Sequence, residues 1–464
     1  MSTAVRRARR VVAMPAVRTT TNSRGRAGSG MRASVGKPRM RVLLIGLLSI
    51  PACGRDVAFV DPQAAGQPGD STTGGEQSVV RGSLEITVAI ADDDSAIAAA
   101  VGLAGPGLPG ASVRVSRPGQ SSQEAVTDGS GRVRFADLVT GGWAVSVVRS
   151  LTAVERAGLP AGAEDIAGFA GGGPAQVIAS GSSVTVEVVL GRQGGVIISE
   201  VYAPIVQTPG GQYYYTGQYV ELYNNGFDVA HLDGMVLGLI YFIAVETQIS
   251  TCEQSAVWRE DSLGLWVQYF SRFPGSGTDY PLAPGATAVV AMDAIDHRPF
   301  VPGLLDLSSA SFEFLGSADV DNPAVPNMLD IGFAEFASGL GHGIRFGPDE
   351  VKPFLSAPFD PDTLEQDVDR ANQRHVRIPR GAVLDVFTSR ATPELEAARF
   401  LEPCSRLVHE VFDRTSANLY DYRQLLSLRR RVLEVLGDGR VILQRTGSSD
   451  GDLELTEPTP GRVP

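Results

Sequence analysis

Leu84-Glu85-Ile86-Thr87-Val88-Ala89-Ile90 sets apolar side chains at every second position. An extended strand puts such a set on one face, so the stretch reads as a strand with one side buried. Working outward, the alternation recurs. Val113 and Val115 stand between Ser112, Arg114 and Ser116, and Val133 and Phe135 between Arg132 and Arg134. Trp143, Val145 and Val147 follow, and Val184, Val186 and Val188 close the set. Thr127-Asp128-Gly129-Ser130-Gly131 supplies a tight turn between two of these runs. Short strands at this spacing predict a β-sandwich. The chain of 464 residues, with 53 glycines, 29 prolines and 43% hydrophobic residues, is expected to be all-β. It has room for about two or three domains of roughly 150 residues.

The net charge of −12 hides an asymmetry. Residues 1–53 carry eleven Arg or Lys and no acid, so the remainder carries −12 − 11 = −23. A body that acidic repels nucleic acid, which is not expected as a partner.

The basic stretch leads into Val42-Leu43-Leu44-Ile45-Gly46-Leu47-Leu48-Ser49-Ile50, then Pro51-Ala52-Cys53. A positive region, a short apolar region and a small residue before the cleavage point form a signal-peptide pattern. The run is too short for a permanent span. Cysteine at the cleavage point resembles the bacterial lipobox, which implies lipidation of Cys53. Residues 1–53 are read as the signal region, with Met31 as an alternative start, and 54–80 as a flexible tether rich in Gly, Ser, Thr, Gln and Pro. With Cys53 acylated, Cys252 and Cys404 are an even pair. A disulfide and two buried free thiols both stay open.

The first folded region, 82–192, carries a resemblance. Pro109-Gly110-Ala111-Ser112-Val113-Arg114-Val115, the 127–135 turn and strand, and Gly141-Gly142-Trp143-Ala144-Val145 resemble the carboxypeptidase-regulatory-like (prealbumin-like) domain. The resemblance implies a non-catalytic accessory sandwich. A Gly/Ala-rich segment at 151–180 has no place in that pattern.

Gly194-Gly195 marks the next boundary, and 196–464 forms the second region. Its strands read Val196-Ile197-Ile198-Ser199-Glu200-Val201-Tyr202 and Tyr219-Val220-Glu221-Leu222-Tyr223-Asn224-Asn225-Gly226, and Thr459-Pro460-Gly461 stands near the end. This order is similar to the lamin-tail domain, an immunoglobulin-like sandwich. The two strings with the long insertion after them look more closely like a bacterial lipoprotein family, domain of unknown function 4876. That resemblance implies a fold and a surface location but no activity. Within the long mixed insertion, 286–291, 343–346, 383–387, 407–412 and 425–432 read as strands, and 363–373 and 393–400 as short helices.

No catalytic constellation stands out. The histidines His231, His297, His342, His375 and His409 include no pair at i, i+4, and no nucleophile elbow or phosphate loop occurs. Asp293, Asp296 and His297 read as a hydrogen-bonded loop. Asp319, Asp321, Asn322 and Asp330 gather oxygen ligands that could hold a calcium ion, the one cofactor considered, against the plainer reading of a solvated turn. Arginines 429–431 read as partners of nearby carboxylates. Aromatics cluster twice, at Tyr213, Tyr214, Tyr215, Tyr219 and Tyr223, and at Trp258, Trp266, Tyr269, Phe270 and Phe273. Tyr219, Glu221 and Tyr223 share strand parity. The less regular second cluster, with Trp258, Trp266 and Tyr269, is the expected binding surface.

The expectation is therefore a non-enzymatic lipoprotein. It is exported and lipid-anchored, at the outer membrane, cell surface or periplasm, where it binds a polysaccharide or surface protein or serves a structural role. The alternative is an accessory or cryptic metal-dependent hydrolase.

Overall fold

In β1 (Arg81–Ile90) the alternation is realised: Leu84, Ile86 and Val88 are fully buried while Glu85 is exposed. The computed structural model describes residues 79–117, 120–240, 256–314, 320–332, 345–368, 374–393 and 406–462. The signal region, Cys53, nearly all of the tether, Cys252, Asp319, His342 and Cys404 lie outside these. The chain is mostly β.

Six more strands join β1: β2 (Ser112–Ser116), β3 (Gln123–Val126), β4 (Arg132–Val139), β5 (Gly141–Ser150), β6 (Ile166–Val177) and β7 (Ser182–Arg192). They run in the order β3-β2-β5-β6-β7-β1-β4, with β1 antiparallel to β4 and parallel to β7. The end strands β3 and β4 approach each other, so the sheet curls into a near-barrel around Leu84, Ile86, Phe135, Trp143 and Phe169. The Asp128 turn closes as its sequence requires. Its Oδ1 accepts from the Ser130 N–H at 2.8 Å and the Arg132 N–H at 3.0 Å, and Gly131 takes a φ of 77° that L side chains rarely adopt.

The segment at 151–180 has two parts. Thr152 and Glu155 form a reciprocal cap on the short helix Ala153–Ala157. The remainder enters β6, whose glycines pass so close to neighbouring strands that a Cβ on Gly168 would strike the Arg149 carbonyl. Small residues here serve close strand approach.

The second region opens with β8 (Val196–Tyr202), β9 (Val206–Gln207), β10 (Tyr213–Tyr214) and β11 (Tyr219–Asn224). β8 and β11 pair antiparallel as interior strands of a curled 13-stranded sheet and are buried throughout, which only strands covered on both faces achieve. Val196, Ile198, Val201, Val220 and Leu222 pack into the largest core of this region. Ile197 and Tyr223 pack on the opposite face with Val441 and Leu443, and Tyr202 and Tyr219 with Ala291 and Leu304. Glu221 pairs with Glu200 but Leu222 with Ile198, so Ser199 is the extra residue of a bulge. The bulge turns Glu200 onto the face that carries Tyr219 and Glu221.

Several insertion strands match their expected positions: Thr287–Ala291, Val383–Val386 and Ser427–Arg430. Others are corrected. Instead of a helix at 363–373, a 3-10 turn at Pro361–Thr363 leads into strand Glu365–Val368, which pairs antiparallel with Arg374–Pro379. Proline at the first position of the turn and the pairing along Arg374–Pro379 favour the extended form. Residues 407–412 are turns: Phe412 and Asp413 both donate their N–H to the His409 carbonyl, and no ladder forms. Arg345 and Phe346 lie in no strand, and of 393–400 only Pro393 is among the described residues.

Near-barrel and curled sheet meet along a seam. Ala167 and Ala170 of β6 pack against Leu433 and Ile442. Arg156 pairs with Glu434, and the Arg192 N–H donates to the Arg445 carbonyl at 3.1 Å.

Candidate functional site

The hairpin of β9 and β10 pairs Gln207 with Tyr213 and Val206 with Tyr214. Its turn closes through the Thr208 N–H on the Gln212 carbonyl at 2.8 Å, with Gly211 at positive φ. The hairpin brings three consecutive tyrosines to the surface. Tyr213 is 60% exposed and its ring lies 6.3 Å from that of Tyr215. The Arg345 guanidinium sits over the Tyr215 ring at 4.8 Å. Tyr214 stacks on Phe300 at 5.6 Å and 19°, and Phe300 is itself 46% exposed.

A buried polar foundation fixes this patch. His297 is fully buried. Its Nε2 lies 2.9 Å from the Asp293 carbonyl, which can only accept, so Nε2 carries the proton and Nδ1 is an acceptor. The Tyr214 hydroxyl, 2.7 Å from Nδ1, is then the donor. Burial pushes the His297 imidazole below its ordinary value, which favours this neutral form. Arg298 is bidentate on Asp296 and reaches Asp306 at 2.8 Å, pinning the loop that presents Phe300. The result is a set of rings held in place, with the exposed parts of Tyr213 and Phe300 open to a planar or C–H-rich ligand.

The second aromatic cluster is elsewhere, and the expected binding surface at Trp258, Trp266 and Tyr269 is corrected. Trp258 and Trp266 are buried in a core with Phe270, Phe354 and Ile378, while Tyr269 packs partly buried against the neighbouring core. Trp258 sits on the short helix Ala256–Arg259, and Trp266 and Tyr269 on the strand Gly264–Arg272, which has neighbours on both edges. The indole N–H groups are also committed, Trp258 to Asp367 at 2.9 Å and Trp266 to Asp261 at 3.0 Å. The first cluster divides: Tyr219 and Tyr223 are core, and Tyr213, Tyr214 and Tyr215 form the surface patch. An exposed Thr-Pro-Gly-Gly turn before the three tyrosines was the sequence signal for it.

Of the calcium candidates, Asn322 donates its side-chain N–H groups to the Ala294 and Ser308 carbonyls and accepts from the Ala324 N–H at its Oδ1. Asp321 accepts from Asn327, and Asp330 from the Gly332 N–H. These bonds build a loop. Among the described residues no group of three His, Cys, Asp or Glu is placed to hold a metal.

Two buried carboxylates within the strand motifs, not legible as a pair from sequence, are central. Glu200 and Glu221 are opposite each other and buried. Glu200 accepts from the Tyr219 hydroxyl at 2.6 Å, the Thr459 N–H at 3.0 Å and the Thr459 hydroxyl at 3.1 Å. Glu221 accepts from the Ser199 hydroxyl at 2.9 Å and the Gly461 N–H at 2.7 Å. Burial, with the Glu200 charge beside it, pushes the Glu221 carboxyl up to about 8. The pair thus latches Thr459-Pro460-Gly461 across the sheet.

Fold and site together define a mostly β protein with an aromatic surface patch set on a buried polar base. Residues 283–459 match the family described as "Protein of unknown function (DUF4876)". A solved structure of a DUF4876 family protein from Bacteroides thetaiotaomicron is 19% identical, with a TM-score of 0.49 over 82% of this chain and 98% of that one. The major pilin SpaD from Corynebacterium diphtheriae is 10% identical over 35% of this chain and 41% of that one, at a TM-score of 0.16. The major pilin subunit BcpA of Bacillus cereus is 9% identical over 66% and 94%, also at 0.16. No curated protein matches the chain in sequence.

Proposed function

We propose that this chain is an exported lipoprotein, anchored through Cys53, that binds polysaccharide at the envelope surface. The carrying observation is the patch of Tyr213, Tyr214, Tyr215 and Phe300. Exposed rings on a stiff base lose little side-chain entropy on binding and stack on the C–H faces of sugars. The acidic body, −23 after the leader, favours a neutral polymer over nucleic acid. The basic, apolar and Cys53 succession at the N-terminus supports export and anchoring.

In the same reading, 82–192 is a prealbumin-like sandwich and 196–464 a lamin-tail-like one. Support comes from β7, which pairs with β1 along Ser182–Val188 and with β6 nearer its end, as a strand shared by two sheets does. The hydrogen-bonded role of Thr459 and Gly461 on Glu200 and Glu221 gives a physical reason for the lamin-tail-like motif.

Affinity electrophoresis of the full chain in gels containing laminarin, xylan or mannan tests the binding. At least one polymer retards the protein, and Tyr213→Ala with Phe300→Ala weakens retardation by about tenfold, as loss of stacked rings would. Thermal melting of the variant stays within a few degrees of the parent's, because Tyr213 is 60% and Phe300 46% exposed and neither lies in a core. Retardation by none of the polymers, or retardation unchanged in the variant, overturns the reading.

A further inference from the structure

The seam between the two regions encloses a cavity of about 380 Å³. Five arginines and four aspartates line it, a surplus of 5 − 4 = +1 in a chain of net charge −12. What matters is which charges are already spent. Arg192 is ion-paired with Asp165, its Nη1 donating to both carboxylate oxygens at 2.7 and 2.9 Å. Arg430, wholly buried, reaches Asp385 and Asp452 at 3.0 Å each. Arg445 donates to the Gly194 and Leu384 carbonyls. Asp94 turns inward and accepts from the Leu190 N–H at 2.8 Å.

Arg380 and Arg414 remain. Both line the cavity and are solvent-exposed, and among the described residues neither side chain has a hydrogen bond or ion pair. Ser448 lines it too, and its hydroxyl makes no cap hydrogen bond to the helix it precedes. The wall therefore supplies two uncommitted guanidinium groups and a hydroxyl over a floor whose other charges are ion-paired or, for Asp94, hydrogen-bonded to the backbone. Guanidinium forks match planar carboxylate and phosphate oxygens, and a cavity of this size lies at the lower end of the roughly 300–1,000 Å³ of small-ligand sites.

We propose that this cleft is a second binding site, separate from the aromatic patch, for a sugar-sized oxyanion held by Arg380 and Arg414. Carboxylate and phosphate forms share this chemistry, as a hexuronate or a hexose phosphate would present it.

Isothermal titration of the purified full chain with D-glucuronate, D-glucose 6-phosphate, inorganic phosphate and neutral D-glucose tests the assignment. At least one sugar anion binds saturably and D-glucose does not, and binding weakens as salt is raised. Glucuronate binding alone assigns a carboxylate ligand; sugar phosphate binding above that of inorganic phosphate assigns a phosphorylated one. The double variant Arg380→Ala/Arg414→Ala loses at least tenfold in affinity with an unchanged melting temperature, while Arg423→Ala, paired with Asp421 outside the cavity, binds as the parent does. No binding by either sugar anion, inorganic phosphate binding as tightly as the sugar phosphate without glucuronate binding, or binding indifferent to the double variant overturns the proposal. Variants of Tyr213 and Phe300 leave this binding intact, so the two sites fail or stand separately.

Discussion

Arg430 has 3% of its side chain exposed and is the only arginine to contact both Asp385 and Asp452 among the described residues. Its guanidinium also donates to the Ile198 carbonyl at 2.9 Å, tying the centre of β8 to the insertion. A buried ion cluster of this kind is costly to assemble and far costlier to break on one side. Arg430→Met leaves two buried carboxylates facing each other, and urea unfolding should show a loss of about 3–5 kcal/mol. Arg423→Ala, which removes a pair whose arginine is exposed though Asp421 is not, should cost less, about 1 kcal/mol. Pairing of this basic run with carboxylates was legible from its place in an acidic region. Which arginine is buried was not, because Asp385 and Asp452 approach only through long-range folding. The tryptophans show the opposite failure. Their stretch is less regular in sequence, but Trp266 lies on a strand paired on both edges and Trp258, on a short helix, packs into the same core beside His375.

At the scale of elements, the latch explains two strand motifs and a terminal motif together. The alternation of Tyr219, Glu221 and Tyr223 was readable from parity. The bulge at Ser199 that brings Glu200 opposite was not, since a one-residue insertion leaves no periodic trace. Proline between Thr459 and Gly461 has no N–H to leave unsatisfied, and the flanking N–H groups each meet a carboxylate. Removing residues 457–464 takes away three hydrogen bonds from two buried acids. Thermal and urea unfolding should report a loss of about 2–4 kcal/mol. Thr459→Val, which keeps the N–H and deletes the hydroxyl, should lose about 1 kcal/mol. Equal stability of the truncated and parent chains would show that water replaces the latch at no cost. The misread helix at 363–373 has the same origin as the missed bulge: β-pairing partners distant in sequence outweigh a weak local pattern.

Across the whole molecule, the buried acids set an unusual pH response. Glu221 rises from its ordinary 4.5 to about 8 and Asp413 from 3.8 to about 7, both chiefly through burial. Between those limits the folded chain keeps protons that the unfolded chain has released, so stability falls as pH rises. His297 opposes this below 6.5: burial depresses it, the unfolded chain takes up the proton first, and stability falls as pH drops. Burial pushes Asp450 and Asp452 upward as well, so the raised acids outnumber the one histidine and the net slope is downward with rising pH. At the acid end the Arg377 guanidinium holds Asp261 at about 2, a contribution present above 3.8 and lost as pH falls through 2. Maximum stability is therefore expected near pH 5, with a fall of roughly 3 kcal/mol by pH 8.5 after discounting for relaxation around the buried groups. Glu221→Gln separates the cause. The amide keeps one acceptor for the Gly461 N–H, and its NH₂ can donate to the Ser199 hydroxyl. The variant should match the parent within about 1 kcal/mol at pH 5 and exceed it at pH 8.5, flattening the profile by half or more. Melting curves of both proteins from pH 4 to 9 decide the matter: parallel profiles would mean that Glu221 ionises freely in the fold, with its charge balanced by Arg429 and the backbone donors of the latch.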